Sequence, residues 1–146
     1  MNFIVSLVLV SLLNLPVNWN TDFGKAKQEA AQSHKLIVLN FSGSDWCGPC
    51  IRMKKEIFES DAFQKYAEQN LILVRADFPR LKKNQLSKEQ IKLNEDLADK
   101  YDPEGKFPLT VLLDETGKVV KEWEGCPDES PEKFVNEINA FAHAAN

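Results

Sequence analysis

Residues 41–50 read FSGSDWCGPC and contain two of the three cysteines of the chain. The apolar run at residues 35–41 predicts a buried strand, and the residues after the first cysteine have helical spacing. Cys47 is then expected at a helix N-terminus, where unpaired amide N–H groups and the positive end of the helix dipole favour a thiolate. Pro49 fits the first turn, because its missing N–H would have no intrahelical partner there. Cys50 follows one turn later, so the pattern predicts that Cys47 attacks disulfides and Cys50 resolves the mixed disulfide.

Two other interpretations of the cysteine pair are less favourable. A zinc site needs about four ligands, and the remaining candidates, Cys126, His34 and His143, are isolated and lack the spacing of a zinc motif. No metal site is therefore predicted. Two buried, inert cysteines remain conceivable, but a Gly-Pro dipeptide between them directly after a strand argues for chemistry.

Helical and strand patterns alternate along the rest of the chain. Helices are predicted after a cap at Asn20 or Thr21 and at residues 48–58, 61–69, 87–101 and 130–142. Strands are predicted at residues 35–41, 71–76, 109–113 and 118–123, with a hairpin turn at residues 114–117, DETG, in which Gly117 has a positive φ. This order indicates an α/β fold with a mixed central sheet and helices on both faces.

Composition limits the remaining possibilities. The chain has 146 residues, 43% hydrophobic and 27% charged, which is typical of one soluble globular domain. Its net charge is −4, with basic residues scattered among acidic ones, so nucleic acid is not expected as a partner. Three cysteines are too few for a scaffold held together by disulfides.

The first 17 residues contain no charged side chain. Their apolar run, residues 3–15, is shorter than the ~20 residues of a membrane-spanning helix but fits the ~7–15-residue core of a secretory signal. Residues 1–17 are therefore predicted to be a signal peptide or short hydrophobic anchor, followed by one domain at residues 18–146. A buried N-terminal strand is the alternative. Membrane contact is expected only through this segment, if it is not cleaved.

Two segments carry a resemblance to a known family. FSGSDWCGPC and, about sixty residues later, FPLTVLLDETGKVV at residues 107–120 resemble the thioredoxin superfamily. The resemblance is greatest to exported bacterial thioredoxin-like thiol-disulfide oxidoreductases of the disulfide-bond type, and it extends from Trp19 onward. It implies a thioredoxin-like three-layer α/β/α fold, an exposed Cys47, a shielded Cys50, a cis Pro108 facing them, and a periplasmic or otherwise exported location.

The expected substrate-binding residues surround the cysteine pair. They are Trp46, Gly48, Pro49, Phe107, Pro108 and Cys126. In the family, the residue at the position of Phe107 lends backbone hydrogen bonds to a bound substrate segment. Trp46 is expected either in a flat apolar docking surface or as a partly buried core residue. Cys126 follows a loop that borders the substrate groove in such proteins. It is expected either to contact substrates or transiently trap Cys47, or to pack as a small, partly buried side chain.

The sequence also departs from the family pattern. Asn40 stands where many members have a buried Asp that moves the proton of the resolving thiol, and Asn cannot ionise. Arg75 replaces the Lys that usually accompanies that Asp, and Leu109 replaces a Thr after the proline. Residues 80–100 have no counterpart in the minimal fold. These changes indicate an altered substrate groove with the redox chemistry retained.

Two functional classes follow. The first is a thiol-disulfide oxidoreductase that reduces or isomerises protein disulfides outside the cytoplasm through Cys47 and Cys50. The second is a thioredoxin-like binding or assembly module without turnover. The expected partners are protein or peptide thiols and disulfides and a redox partner protein that supplies or accepts electrons. No cofactor is expected, and the protein is predicted to be a monomer.

Overall fold

The computed structural model describes residues 16–144. Residues 1–15 of the predicted signal or anchor segment lie outside this range, so that prediction is not tested. Val17 lies against the domain, and its N–H donates to Oε1 of Gln64 at 2.9 Å. Within the described range, no helix combines the length and apolarity needed to cross a bilayer.

Residues 16–144 contain five strands and five α-helices. The strands are β1 (Trp19–Asn20), β2 (Leu36–Ser42), β3 (Leu71–Asp77), β4 (Leu109–Leu113) and β5 (Val119–Glu124). The helices are α1 (Phe23–Ser33), α2 (Gly48–Met53), α3 (Asp61–Asn70), α4 (Lys88–Tyr101) and α5 (Pro131–Ala144). A π-helical turn, Lys54–Phe58, continues α2, and a 3₁₀ turn, Lys82–Asn84, precedes α4.

The strands form one mixed sheet in the order β1-β3-β2-β4-β5. The strands β1, β3 and β2 are parallel, whereas β4 runs antiparallel to both β2 and β5. Ser42 is paired with Asp77, so the carboxyl ends of β2 and β3 meet at one edge of the sheet. The loop that carries the cysteines begins at this edge.

Each face of the sheet is covered by helices through its own apolar cluster. On one face, Ala26 and Ala30 of α1 and Leu97 and Tyr101 of α4 pack on the sheet. The other face is covered by α2, α3 and α5, and the buried helical side chains there are Met53, Ile57, Phe58, Phe63, Ala67, Phe134 and Ile138. This arrangement confirms the predicted three-layer α/β/α fold.

The hairpin between β4 and β5 also agrees with the sequence prediction. Gly117 has a φ of 88°, a conformation that favours glycine. Its N–H donates to the carbonyl of Asp114 at 3.0 Å, and Oδ1 of Asp114 accepts the N–H groups of Thr116 and Lys118.

One local prediction was wrong in detail. The N-cap of α1 is Asp22, whose Oδ1 accepts the N–H of Lys25 at 3.1 Å, and not Asn20 or Thr21. Asn20 belongs to β1, a two-residue strand too short to leave a periodic pattern in the sequence. Residues 48–58 are helical as predicted, and the second half of the segment is π-helical.

Candidate active site

Cys47 and Cys50 form a disulfide at the start of α2, with Cα atoms 5.2 Å apart. Cys47 is the N-cap of the helix, and its Sγ accepts the N–H of Cys50 at 3.3 Å. Sγ of Cys50 accepts the N–H of Gly43 at 3.5 Å. Pro49 lies in the first turn, as predicted. A backbone N–H directed at Cys47 Sγ favours the negative charge that this sulfur would carry after reduction.

The expected difference in exposure between the two sulfur-bearing residues is absent. Cys47 is 5% exposed and Cys50 is 4% exposed. The expectation of an exposed Cys47 was therefore wrong for the oxidised protein, because the disulfide and the N–H of Cys50 draw its sulfur back onto the helix start. Gly48 and Pro49 are exposed over the pair, and Ile51 adds an exposed apolar side chain.

Trp46 is half-buried and held from three sides. Its Nε1–H donates to the carbonyl of Phe78 at 2.7 Å. Its ring contacts Phe107 edge-on, with centroids 5.4 Å apart, and the guanidinium of Arg80 lies 3.6 Å from the ring centroid. These contacts fix the indole next to the cysteine pair, and the residue is partly buried, as one of the two expectations had it.

Gly43 makes the position of the Trp46 ring possible. A Cβ at residue 43 would lie 2.3 Å from Cε2 of the indole, which is too close for any side chain. The carbonyl of Gly43 also accepts the N–H of Cys47 at 2.9 Å. Glycine is therefore required here by the close approach of the ring.

Asp45 ties the active-site loop to the segment that follows β3. Its carboxylate accepts the N–H groups of Arg80 at 2.9 Å and Leu81 at 3.0 Å. It also accepts Nδ2 of Asn84 at 2.9 Å. The hydrogen bond from the Arg80 N–H, followed by that from Asn84, lowers the pKa of Asp45 below its usual value. Hydrogen bonds thus hold residues 80–84 against Asp45, which lies two positions before Cys47.

The Phe107–Pro108 peptide bond is cis, as the resemblance implied. The Pro108 carbonyl accepts the N–H of Gly125 at 2.9 Å, so the loop containing Cys126 borders Pro108. Cys126 is a partly buried free thiol that packs on the apolar cluster of α2, α3 and α5. Its carbonyl accepts a weak hydrogen bond from Arg52 of α2 at 3.5 Å.

Asn40 is buried in the sheet near the site, at 3% exposure. Its Nδ2 donates to Oγ1 of Thr110 at 3.1 Å and makes a longer contact with the carbonyl of Leu109. Arg75, its register partner on β3, has its guanidinium 4.0 Å from the ring centroid of Trp19. Burial lowers the pKa of Arg75. The amide of Asn40 thus serves as a structural donor, and the Arg75 guanidinium rests on an aromatic ring.

The structure therefore contains site residues that sequence reasoning missed. Phe78 and Arg80 contact Trp46, and Asp45 accepts the backbone N–H of Arg80. The sequence interpretation assigned residues 80–100 no role at the site. The one signal for Phe78 and Arg80 was their position shortly after the strand predicted at residues 71–76. Within residues 16–144, no cluster of three His, Cys, Asp or Glu side chains is arranged to hold a metal ion.

Comparison with known proteins places this geometry in a family. A family model described as a thioredoxin-like domain matches residues 23–142. The chain belongs to the thioredoxin-like domain family. A curated relative, the disulfide bond reductase DsbH of Chlamydia pneumoniae, is 38% identical over 102 residues, which cover 70% of this chain and 59% of that protein. The chain thus spans less than two thirds of the length of this relative.

Solved structures agree with the family assignment. A DsbH oxidoreductase structure has a TM-score of 0.79 and 31% identity, over 88% of this chain and 86% of that chain. A poplar thioredoxin h has a TM-score of 0.59 at 18% identity, over 86% of this chain and 96% of that chain, which shows the shared fold. The prediction of a thioredoxin-superfamily protein is confirmed. Cys47 and Cys50, the predicted pair, are joined by a disulfide.

Proposed function

We propose that this protein is a thiol-disulfide oxidoreductase that reduces disulfides of proteins or peptides. The observation that carries the proposal is the Cys47–Cys50 disulfide at the start of α2, with a backbone N–H directed at Cys47 Sγ. Similarity to a disulfide bond reductase supports reduction as the direction.

The reaction proceeds through two exchanges. In the reduced protein, the Cys47 thiolate attacks one sulfur of the substrate disulfide and expels the other as a thiolate, which takes up a proton. Cys50 then loses its proton and attacks Cys47 Sγ, which releases the second substrate thiolate and restores the Cys47–Cys50 disulfide. The substrate gains two electrons from the cysteine pair, and a redox partner protein supplies two further electrons that reduce the Cys47–Cys50 disulfide again.

The substrate is proposed to lie across the exposed surface beside the disulfide. Gly48, Pro49 and the accessible part of Trp46 form one side of this surface. Phe107 offers backbone hydrogen bonds next to Pro108. Cys126 borders the same groove, where it contacts substrates or protects Cys47 by a transient disulfide.

The location and assembly are part of the proposal. The uncharged residues 1–17 direct export to the periplasm or beyond, and the domain acts as a monomer. The absence of charged side chains from residues 1–17 is the observation that supports export. Export is tested by fractionating cells that express the full chain beside a variant lacking residues 1–17; retention of both in the cytoplasm would contradict it.

Insulin reduction by dithiothreitol tests the activity. We expect the wild type to accelerate precipitation of the insulin chains, Cys47→Ser to abolish the acceleration, and Cys126→Ser to retain it. Equal, background-level turnover in the wild type and Cys47→Ser would favour a binding module. Equilibration with glutathione measures the reduction potential of the Cys47–Cys50 pair and so tests the direction. Reducing members of this fold have potentials of about −270 mV, whereas a strong oxidant has about −120 mV.

A further inference from the structure

The segment that Asp45 fastens beside the cysteine pair is basic and exposed. Residues 79–85 read PRLKKNQ and contain three cations and no carboxylate. Arg80, Lys82 and Lys83 are exposed, and Leu81 between them is 48% exposed. Among the ion pairs within residues 16–144, none involves these three cations.

The position of this segment is fixed by contacts with the active-site loop. The carboxylate of Asp45 accepts two of its backbone N–H groups and the Asn84 amide. The Arg80 guanidinium covers one face of Trp46, the residue directly before Cys47. A polypeptide whose disulfide reaches Cys47 therefore passes close to Arg80, and Lys82 and Lys83 follow it in the same exposed segment.

The charge of this surface contrasts with that of the whole chain. The protein carries a net charge of −4, so its overall field repels acidic partners. Arg80, Lys82 and Lys83, which form no ion pair with a carboxylate in the described part of the chain, attract carboxylates locally and repel lysines. Complementary charge of this kind raises association rates and discriminates between partners.

We propose that residues 80–83 form a docking surface for an acidic segment of the polypeptide that exchanges disulfides with Cys47. Acidic side chains of the partner pair with Arg80, Lys82 and Lys83, and an apolar side chain covers Leu81. This inference rests on the proposed oxidoreductase function and specifies its substrate class.

The test compares three peptides that share one disulfide and differ only in flanking residues. The flanking residues on both sides of the disulfide are Glu in the first peptide, Gln in the second and Lys in the third. The second-order rate constant of exchange with the reduced protein is measured at about 0.01 M and about 1 M ionic strength, where the Debye length is about 30 and 3 Å. We expect the Glu peptide to react about fivefold faster than the Lys peptide at low salt and at the same rate at high salt, because salt screens exposed charge pairs.

A matched pair of double variants isolates the surface. Lys82→Glu with Lys83→Glu is expected to abolish or invert the Glu preference. Lys65→Glu with Lys118→Glu makes the same change in net charge at exposed positions on α3 and the β4–β5 turn and is expected to retain it. Lys82→Gln with Lys83→Gln is expected to reduce the preference to an intermediate value. Urea unfolding midpoints confirm that the variants fold.

Three outcomes would overturn the inference. Equal rates for the Glu and Lys peptides, with the Gln peptide still reacting, would refute the docking surface but not the proposed oxidoreductase function. An equal loss of the Glu preference in both Lys→Glu double variants would show that the preference depends on the net charge of the protein and not on residues 80–83. The cations would instead be assigned to a lipid surface by a third result. In that result the wild type shows no preference among the peptides and binds phosphatidylglycerol vesicles, whereas the Lys82→Glu, Lys83→Glu variant does not bind them. No reaction with any peptide would instead refute the proposed function.

Discussion

The guanidinium of Arg80 lies 3.6 Å from the centroid of the Trp46 ring, although the two residues belong to separate segments of the chain. They meet because β2 and β3 are parallel neighbours whose ends, Ser42 and Asp77, lie at one edge of the sheet. The residues that follow each strand therefore emerge side by side. The insertion after β3 is thus part of the surroundings of the cysteine pair.

A double-mutant cycle measures this contact. We expect Arg80→Ala and Trp46→Phe to be coupled by about 0.5–1 kcal/mol in urea unfolding, the size of an exposed cation–π interaction. Arg80→Lys is expected to retain part of the coupling. Strictly additive effects would mean that the stacked geometry contributes nothing to stability.

Gly43 and Gly48 form a matched pair for the packing of the Trp46 ring. Gly43→Ala would put a Cβ 2.3 Å from the indole, whereas a Cβ at residue 48 meets nothing within 4 Å. We expect Gly43→Ala to lower the free energy of unfolding by about 1–3 kcal/mol, as in other overpacked sites. Gly48→Ala is expected not to destabilise the protein. Similar unfolding midpoints for both variants would refute the steric argument.

The tether at Asp45 predicts a pH dependence. Hydrogen bonds from Arg80 and Asn84 lower the pKa of Asp45 in the folded state. A depressed folded pKa contributes stability that is present above the pKa of the unfolded state and lost as pH falls through the folded value. Urea unfolding from pH 7 to pH 3 should therefore show the advantage of the wild type over Asp45→Asn shrinking only at the acidic end. A pH-independent difference would contradict this assignment.

Asn40→Asp tests the buried amide beside Thr110. The substitution removes the donor to Thr110 Oγ1 and buries a carboxyl group, so we expect a loss of about 1–3 kcal/mol at neutral pH. Burial raises the pKa of a carboxyl group, so the loss should grow as pH rises above the ordinary aspartate value. Thr110→Val removes the same hydrogen bond without adding an ionisable group, and its cost should not vary with pH. Urea unfolding at pH 4 and pH 7 distinguishes the two variants.

Alkylation tests the roles of the two cysteines. In the reduced protein, with Cys126→Ser as the background, we expect iodoacetamide to label Cys47 first, because its sulfur lies at the helix N-terminus. Mass spectrometry of the peptides locates the label. Faster labelling of Cys50 at neutral pH would reverse the proposed attacking and resolving roles.

Local rules in the sequence were sufficient for much of this protein. Residues 46–50, WCGPC, follow an apolar run after a four-residue loop and indicated a cysteine pair at a helix start, because strand periodicity and helix capping depend on residues a few positions apart. The DETG turn indicated the β4–β5 hairpin for the same reason. The cis bond at Pro108 followed only from the family resemblance, since X-Pro bonds are cis in about 5–6% of cases.

Only the tertiary structure decided what surrounds the cysteine pair. The side-by-side ends of β2 and β3 bring Asp45 to the backbone of Arg80 and the guanidinium to Trp46. The antiparallel pairing of β2 with β4 places Asn40 opposite Thr110. Such contacts depend on strand order and register, which join residues distant in the chain. No periodicity within one segment encodes them, so a helix start was predictable but its neighbours were not.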